Sequence, residues 1–142
     1  VSMSRLVAGI AAGTDFADPI AFSAQGHIGE ASRVDEYTVA IAKFPGDVLA
    51  QLACGVQVEQ ENVVRIFGTE GSLYIPQPWQ PGRDRKPAFL YLTQRGKSQV
   101  EEIQVDSEKG LWAIEADLVA ENIQNRQVPP PAMSWEDTLG NM

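Results

Sequence analysis

The chain has 142 residues, 44 % apolar and 21 % charged, which is the composition of a folded domain rather than a disordered or repetitive one. Eleven basic against nineteen acidic residues leave a net charge of −8, a field that repels phosphate backbones and anionic headgroups and argues against nucleic acid and membrane surfaces as partners. One cysteine and one histidine provide neither a disulfide framework nor a Cys/His set for zinc, and no apolar run approaches the roughly eighteen residues of a membrane span, so one soluble domain in the reducing cytoplasm is expected.

Met3, Leu6, Val7 and Ile10 share one helical stripe, and the turn-rich stretch Gly13-Thr14-Asp15-Phe16-Ala17-Asp18-Pro19 ends that helix. Residues 20–28 read as a strand. Residues 34–43 and 48–58 alternate on either side of Phe44-Pro45-Gly46-Asp47, which predicts a hairpin. If Pro45-Gly46 is a two-residue loop, partner numbers sum to 91, so that Tyr37 faces Cys54, Val39 faces Leu52 and Ile41 faces Ala50. Tyr37, Val39, Ile41, Leu52 and Cys54 have the size to pack beneath helices. The opposite face, with Thr38, Ala40, Ala42, Leu49, Gln51, Ala53 and Gly55, is too small and uncharged for an ordinary solvated sheet, and it is expected to stack on a second copy.

Residues 62–67 and 72–75 are strands joined by the turn Gly68-Thr69-Glu70-Gly71, and three prolines between Pro76 and Pro81 then end the ladder. A second hairpin, residues 89–93 and 99–105, flanks Arg95-Gly96-Lys97. Trp112, Ala116, Val119 and Ile123 carry helical spacing to about residue 125. Pro129-Pro130-Pro131 is a stiff linker, and Ser134-Trp135-Glu136-Asp137 is a capping box opening a last helix. The predicted fold class is α+β: a largely antiparallel open β-sheet with helices covering one face, residues 1–142 forming one domain. A chain that begins within one helix and ends within another reads as a piece of a longer polypeptide.

No self-sufficient catalytic constellation is present. His27 lacks a positioned nucleophile and orienting group, and Cys54 alternates onto the apolar face as an inert thiol. Gly68-x-x-Gly71 lies between two strands, which makes it a hairpin turn rather than a phosphate-binding loop. Asp117 and Glu121 stand at i, i+4 beside Glu115 as a solvated acidic face, and Arg83-Asp84-Arg85-Lys86 is a mixed-sign loop. Trp79, held between Pro78 and Pro81, is either a flat wall for a ring or a cap on the sheet edge.

Several ordered segments resemble the C-terminal half of the glucose–fructose oxidoreductase / inositol dehydrogenase / MocA family of NAD(P)-dependent oxidoreductases. They are Val34-Asp35-Glu36-Tyr37-Thr38 leading to Phe44-Pro45-Gly46, Ala50-Gln51-Leu52-Ala53-Cys54-Gly55, Ile66-Phe67-Gly68-Thr69-Glu70-Gly71-Ser72, Pro76-Gln77-Pro78-Trp79, Glu115-Ala116-Asp117 and residues 133–142. Val1-Ser2-Met3-Ser4-Arg5-Leu6 resembles the helix after the catalytic segment in the dihydrodiol dehydrogenase-like branch. The resemblance implies a substrate-pocket and oligomerisation domain, inactive by itself, of an enzyme acting on a sugar, polyol or cyclic diol.

The family's dinucleotide fingerprint and its Glu-Lys-Pro motif are absent, and its acid–base residue would precede Val1, so no catalytic or cofactor-binding residue is carried onto this chain. NAD or NADP is expected only in the full-length enzyme. Trp79 matches the loop lining the substrate side and is the one residue expected to touch substrate. The expected partners are a second copy of the chain and a small-molecule substrate. The alternative is a non-enzymatic dimerisation or ligand-binding module with the same fold.

Overall fold

The alternation of small and branched residues that marks the strands carries into a computed structural model describing all 142 residues. In chain order the elements are α1 (Ser2–Ala12), β1 (Ala21–Ile28), β2 (Asp35–Lys43), β3 (Leu49–Gly55), β4 (Val63–Gly68) and β5 (Gly71–Pro76), followed by β6 (Ala88–Gln94), β7 (Val100–Val105), α2 (Leu111–Asn122) and α3 (Trp135–Gly140). The fold is α+β, with antiparallel, open sheets. Where one continuous meander was expected there are two sheets, β1-β2-β3 and β4-β5-β6-β7. After Gly55 the N–H groups of Val56 and Gln57 both donate back to the Glu36 carbonyl, which ends the β3 ladder and closes the first sheet. The chain divides into two compact bodies, Val1–Gln60 with Asn122–Met142, and Glu61–Glu121.

In the first body the β2–β3 hairpin forms, but one residue out of the expected register. Phe44 N–H donates to the Val48 carbonyl at 2.8 Å, so the loop is the three residues Pro45-Gly46-Asp47. This pairing makes it a three-residue loop, in which Gly46 (φ 72°) and Asp47 (φ 62°) are both left-handed. Tyr37 therefore pairs with Gly55, Val39 with Ala53 and Ile41 with Gln51. The shift exchanges the faces of β3 relative to β2.

Burial runs opposite to the expectation. Ala40, Ala42 and Phe44 are buried, and Ala42 and Phe44 pack with Ala8 of α1 against Ala17, Val48 and Ala50. Tyr37, Val39, Ile41 and Leu49 are exposed on the other face. Small residues serve as the floor under α1 because the helix can approach a sheet of alanines closely, whereas the branched side chains along β2 could not lie there without lifting it. Within α1 the buried stripe is Arg5, Ala8 and Gly9, not Met3, Leu6, Val7 and Ile10, and Ile10 is exposed. Cys54, expected as a buried thiol, is exposed.

The second body contains the four-stranded meander and nearly all of α2. The β4–β5 turn joins Gly68 to Gly71, and the β6–β7 hairpin runs from the Ala88–Val105 pair to the Thr93–Val100 pair. One row of side chains crosses all four strands of one face: Arg65, Tyr74, Tyr91 and Glu102. The α2 stripe expected to be core is open, with Trp112, Val119 and Ile123 exposed. The accessible surface of the chain is 10,833 Å². Two independent globules of these masses would expose about 8,700 Å² together. Apolar faces that would be covered in a self-contained domain are therefore open in each body. No helix is long and apolar enough to cross a membrane.

Candidate functional site

Trp79 stands just past the C-terminal end of β5, on a loop built from successive turns. Gln77 N–H donates to the Asn62 carbonyl at 3.0 Å, extending the β4–β5 pairing by one step, and Gln80 N–H donates back to Gln77. The Arg83 guanidinium then donates to Gln80 Oε1 at 2.7 Å. These contacts and the flanking prolines fix the backbone under Trp79 while leaving its indole 54 % exposed. That degree of exposure does not fit a side chain capping the sheet as core. A ring held in place with a free apolar face is suited to stack on a sugar or another ring.

The concave surface of the second body lies at the other end of β5. A shallow depression of about 360 Å³ is lined by Gly68, Thr69, Gly71, Ser72, Thr93 and Arg95, among others. Arg95 N–H donates to the Glu70 carbonyl at 2.8 Å, and its guanidinium reaches the Thr69 carbonyl. The turn is thus tied to the β6–β7 hairpin by backbone pairing. As expected, Gly68-x-x-Gly71 is a hairpin turn, flanked by strands on both sides, so it has no helix N-terminus to receive a pyrophosphate. These residues do not fit a nicotinamide dinucleotide.

His27 stacks on Tyr37 with ring centroids 5.0 Å apart, and its Nε2 lies 3.7 Å from Glu36 Oε2. The other Glu36 oxygen accepts from the Ser32 hydroxyl at 2.9 Å. This places the carboxylate between the serine and the histidine. A nucleophile would need the imidazole in that central position to take its proton, so the trio does not activate Ser32. In α2, Asp117 accepts from the Lys109 ammonium, and that hydrogen bond is the main cause raising Lys109 above its ordinary range. Asp117 is committed to a surface ion pair rather than to proton transfer.

The most ordered polar cluster is one that the sequence pattern did not reveal. Arg5 is 3 % exposed. It donates five hydrogen bonds: from Nε and Nη2 to Asp18 Oδ1, from Nη1 to the Asp137 carbonyl and Asn141 Oδ1, and from Nη2 to Asp137 Oδ1. Gly140 lies against the guanidinium, where a side chain would sit 3.0 Å from Nη2. The capping box expected at Ser134 forms, with the Ser134 hydroxyl accepting from Asp137 N–H at 3.0 Å. The Ser134 hydroxyl and N–H, together with Arg5, hold the Asp137 carboxyl below its ordinary range, the serine hydroxyl contributing most. The readable signal was Arg5, Ala8 and Gly9 at i, i+3 and i+4 in α1, against Asp137 in α3 and Asn141, its C-cap, at i, i+4. The cluster ties the last helix to α1 through a buried guanidinium whose partner Asp18 is open to solvent, so it is structural.

No family model matches the chain, and no curated protein matches it. Solved structures do. A 3-ketoreductase from Actinomadura kijaniata, solved in complex with TDP-benzene and NADP, is 18 % identical with a TM-score of 0.73, over 98 % of this chain and 41 % of that one. Aldose–aldose oxidoreductase from Caulobacter crescentus, complexed with glycerol, is 16 % identical with a TM-score of 0.71, over 99 % of this chain and 40 % of that one. UDP-N-acetylglucosamine 3-dehydrogenase from Acidithiobacillus ferrooxidans is 19 % identical with a TM-score of 0.57, over 78 % and 33 % of the two chains. These are oxidoreductases of the glucose–fructose oxidoreductase / inositol dehydrogenase / MocA type, and at such identities the likeness is one of fold. The chain spans about two fifths of the length of the first of them.

Proposed function

We propose that this chain is the substrate-pocket and oligomerisation domain of an NAD(P)-dependent oxidoreductase acting on a sugar, polyol or cyclic diol. The observation that carries the reading is the fold match over 98 % of the chain to part of an NADP-bound 3-ketoreductase. The open apolar faces support it, because a domain cut from a two-domain enzyme exposes the surfaces its other parts would cover. In this reading the nicotinamide and the acid–base residue are held by a separate cofactor domain. Trp79 is the ring-stacking wall of the substrate side, in the manner of the dihydrodiol dehydrogenase-like branch. A second copy binds the open face of β1-β2-β3, where Tyr37, Val39 and Ile41 form an apolar stripe flanked by small uncharged residues.

Calorimetric titration of this chain with NADH and NADPH tests the division of labour. No stoichiometric uptake is expected, while the polypeptide containing this segment should take up one nucleotide and reduce or oxidise a sugar. A specific micromolar site in the 142-residue chain alone would overturn the reading. An upstream reading frame without a G-x-G-x-x-G/A turn and a Glu-Lys-Pro motif would instead favour the non-enzymatic module.

A further inference from the structure

The hollow of about 360 Å³ beside the β4–β5 turn is walled by hydrogen-bond donors that find almost no acceptor in the protein. Ser72 and Thr93 are direct partners on β5 and β6, so their hydroxyls rise side by side on one face. Thr69 brings a third hydroxyl from the turn. Arg95 follows Thr93 by two residues, and the bond from its N–H to the Glu70 carbonyl carries the ladder one step past β6. Its guanidinium makes one contact, a 3.4 Å approach from Nη1 to the Thr69 carbonyl, and the rest of the fork is free to donate. Neither Arg95 nor Lys97, at the tip of the same hairpin, forms an ion pair.

Gly68 keeps this hollow open. Its backbone is not left-handed, and a Cβ there would meet nothing nearer than the Gly71 carbonyl oxygen at 3.8 Å. The fold therefore does not call for glycine at this position. A glycine in a strand weakens the ladder, and without a bend or bulge to explain it, it marks a place that something else approaches closely. Gly71 is a different case: a Cβ there would collide with the Thr93 carbonyl, so that glycine serves the pairing of β5 with β6.

We propose that this hollow binds a phosphate group, as the free ion or as the monoester of a small molecule. Three hydroxyls and a planar guanidinium offer more donors than a carboxylate has oxygens, and they suit the oxygens of a tetrahedral anion. The donors are side chains on a sheet rather than the N–H groups of a helix terminus, so the site accommodates one phosphate and not a dinucleotide. Glu70 lines the adjoining hollow of about 450 Å³ and not this one, which leaves Arg95 as the charge in the wall. The net charge of −8 opposes anions at a distance, but physiological salt screens exposed charges beyond about 8 Å, so the local cations decide. The proposal does not rest on the oxidoreductase reading.

Amide NMR of the chain in a phosphate-free buffer tests it. Inorganic phosphate and, separately, glucose 6-phosphate should shift the signals of residues 68–72 and 93–97 in a saturable way. Glucose, and sodium chloride at equal ionic strength, should not. Tighter binding of glucose 6-phosphate assigns the site to an ester, and equal or weaker binding assigns it to the free ion. Arg95→Gln should weaken phosphate binding about tenfold or more, because the charge-assisted bonds go with the guanidinium. Thr93→Val keeps the shape of the wall but removes one hydroxyl, and should weaken binding by about threefold or more. Gly68→Val should leave the thermal midpoint equal or higher, since a branched residue suits a strand, yet abolish the shifts by filling the hollow. Should that variant fail to fold by circular dichroism, Arg95→Gln and Thr93→Val carry the test. Shifts that sodium chloride reproduces, that centre on Arg83, Arg85 and Lys86 instead, or that persist unchanged in folded Arg95→Gln would overturn the proposal.

Discussion

Arg5 donates from Nη1 to the main-chain carbonyl of Asp137 at 2.7 Å, joining the first turns of the chain to its last helix. α3 has no buried residue of its own, and Trp135 and Leu139 point outward. Apolar packing therefore does not hold it. A buried guanidinium, bonded to Asp18, Asp137 and Asn141, does. Arg5→Met should destabilise the fold by about 3 kcal/mol, since it removes the buried centre of the network and leaves the part-buried Asp137 and Asn141 acceptors without their donor. Arg5→Lys should recover only part, because a point charge cannot reproduce the planar fork. Urea unfolding followed by circular dichroism measures both, and a loss under about 0.5 kcal/mol for Arg5→Met would show that α3 is held by something else.

The same cluster sets an acid dependence. Asp137 is held below its ordinary range in the folded chain, chiefly by the Ser134 hydroxyl and then by the Ser134 N–H and Arg5, against a smaller opposing effect of burial. Its contribution to stability is fully present above the unfolded value of about 3.9 and disappears as pH falls through the lower folded value. Ser134→Ala should raise the Asp137 titration midpoint toward the unfolded value, as read by carbon NMR of the carboxyl. Asp137→Asn should flatten the fall of stability with pH below about 4. An unchanged slope in Asp137→Asn would assign acid sensitivity to other carboxylates.

Gly9 sits within α1, where alanine is ordinarily better by about 1 kcal/mol. Here the sign should reverse. A Cβ on Gly9 would stand 2.7 Å from the Asp15 carbonyl oxygen and from Phe16 Cα, both backbone atoms that cannot rotate aside. The chain turns back so closely because Thr14 N–H donates to the Gly9 carbonyl at 2.8 Å. Gly9→Ala should lower the thermal midpoint, while a gain would show that the loop after α1 gives way freely.

Residues 41 and 42 report which face of β2 lies under α1. Ala42 is 1 % exposed beneath α1, whereas its neighbour Ile41 faces outward. Ala42→Lys should prevent folding, by forcing a charge without a partner into the core. Ile41→Lys should fold and weaken any association through that face. If the 91-sum register held, β3 would be the strand changed, with Cys54 rather than Gly55 opposite Tyr37; a disulfide engineered between positions 37 and 55 forms only in the observed register.

What was legible in the sequence was what short-range chemistry decides. The Ser134 capping box, the Gly68–Gly71 turn and the β6–β7 hairpin each depend on a few adjacent residues, and each formed where expected. Register was not, because whether Pro45-Gly46-Asp47 closes over two or three residues turns on the backbone angles of Gly46 and Asp47, for which both choices leave alternating strands on either side. Nor was burial. The rule that large apolar residues go inside picked Val39 and Ile41, but close approach of α1 selected Ala40, Ala42 and Phe44 instead. Arg5 escaped notice for a related reason: a lone arginine among Met3, Leu6 and Val7 reads as the solvated side of a helix until a carboxylate and an amide from the far end of the chain are brought to it.

Trp79 is the residue on which the proposed substrate side depends. Two roles predict opposite consequences for its removal. As a cap on the sheet edge, it would bury its indole and Trp79→Ala would lower stability by about 3 kcal/mol or more. As a wall on a rigid loop it would contribute little to the folded state, and its 54 % exposure accords with that. In the oxidoreductase that contains this segment, Trp79→Ala should leave the thermal midpoint within the range of ordinary surface substitutions, about 0.5 kcal/mol either way. The Kd for the nicotinamide nucleotide should also be unchanged. kcat/KM should fall about tenfold, mostly through KM, since stacking on a ring contributes about equally to bound substrate and transition state. Gln77 and Gln80 only shape the loop, so substituting alanine for Gln80, which accepts from Arg83, should reproduce a small part of the effect by loosening the turn under the indole. Unchanged kinetics together with a lowered midpoint would return Trp79 to a structural role and move the substrate side elsewhere in the fold.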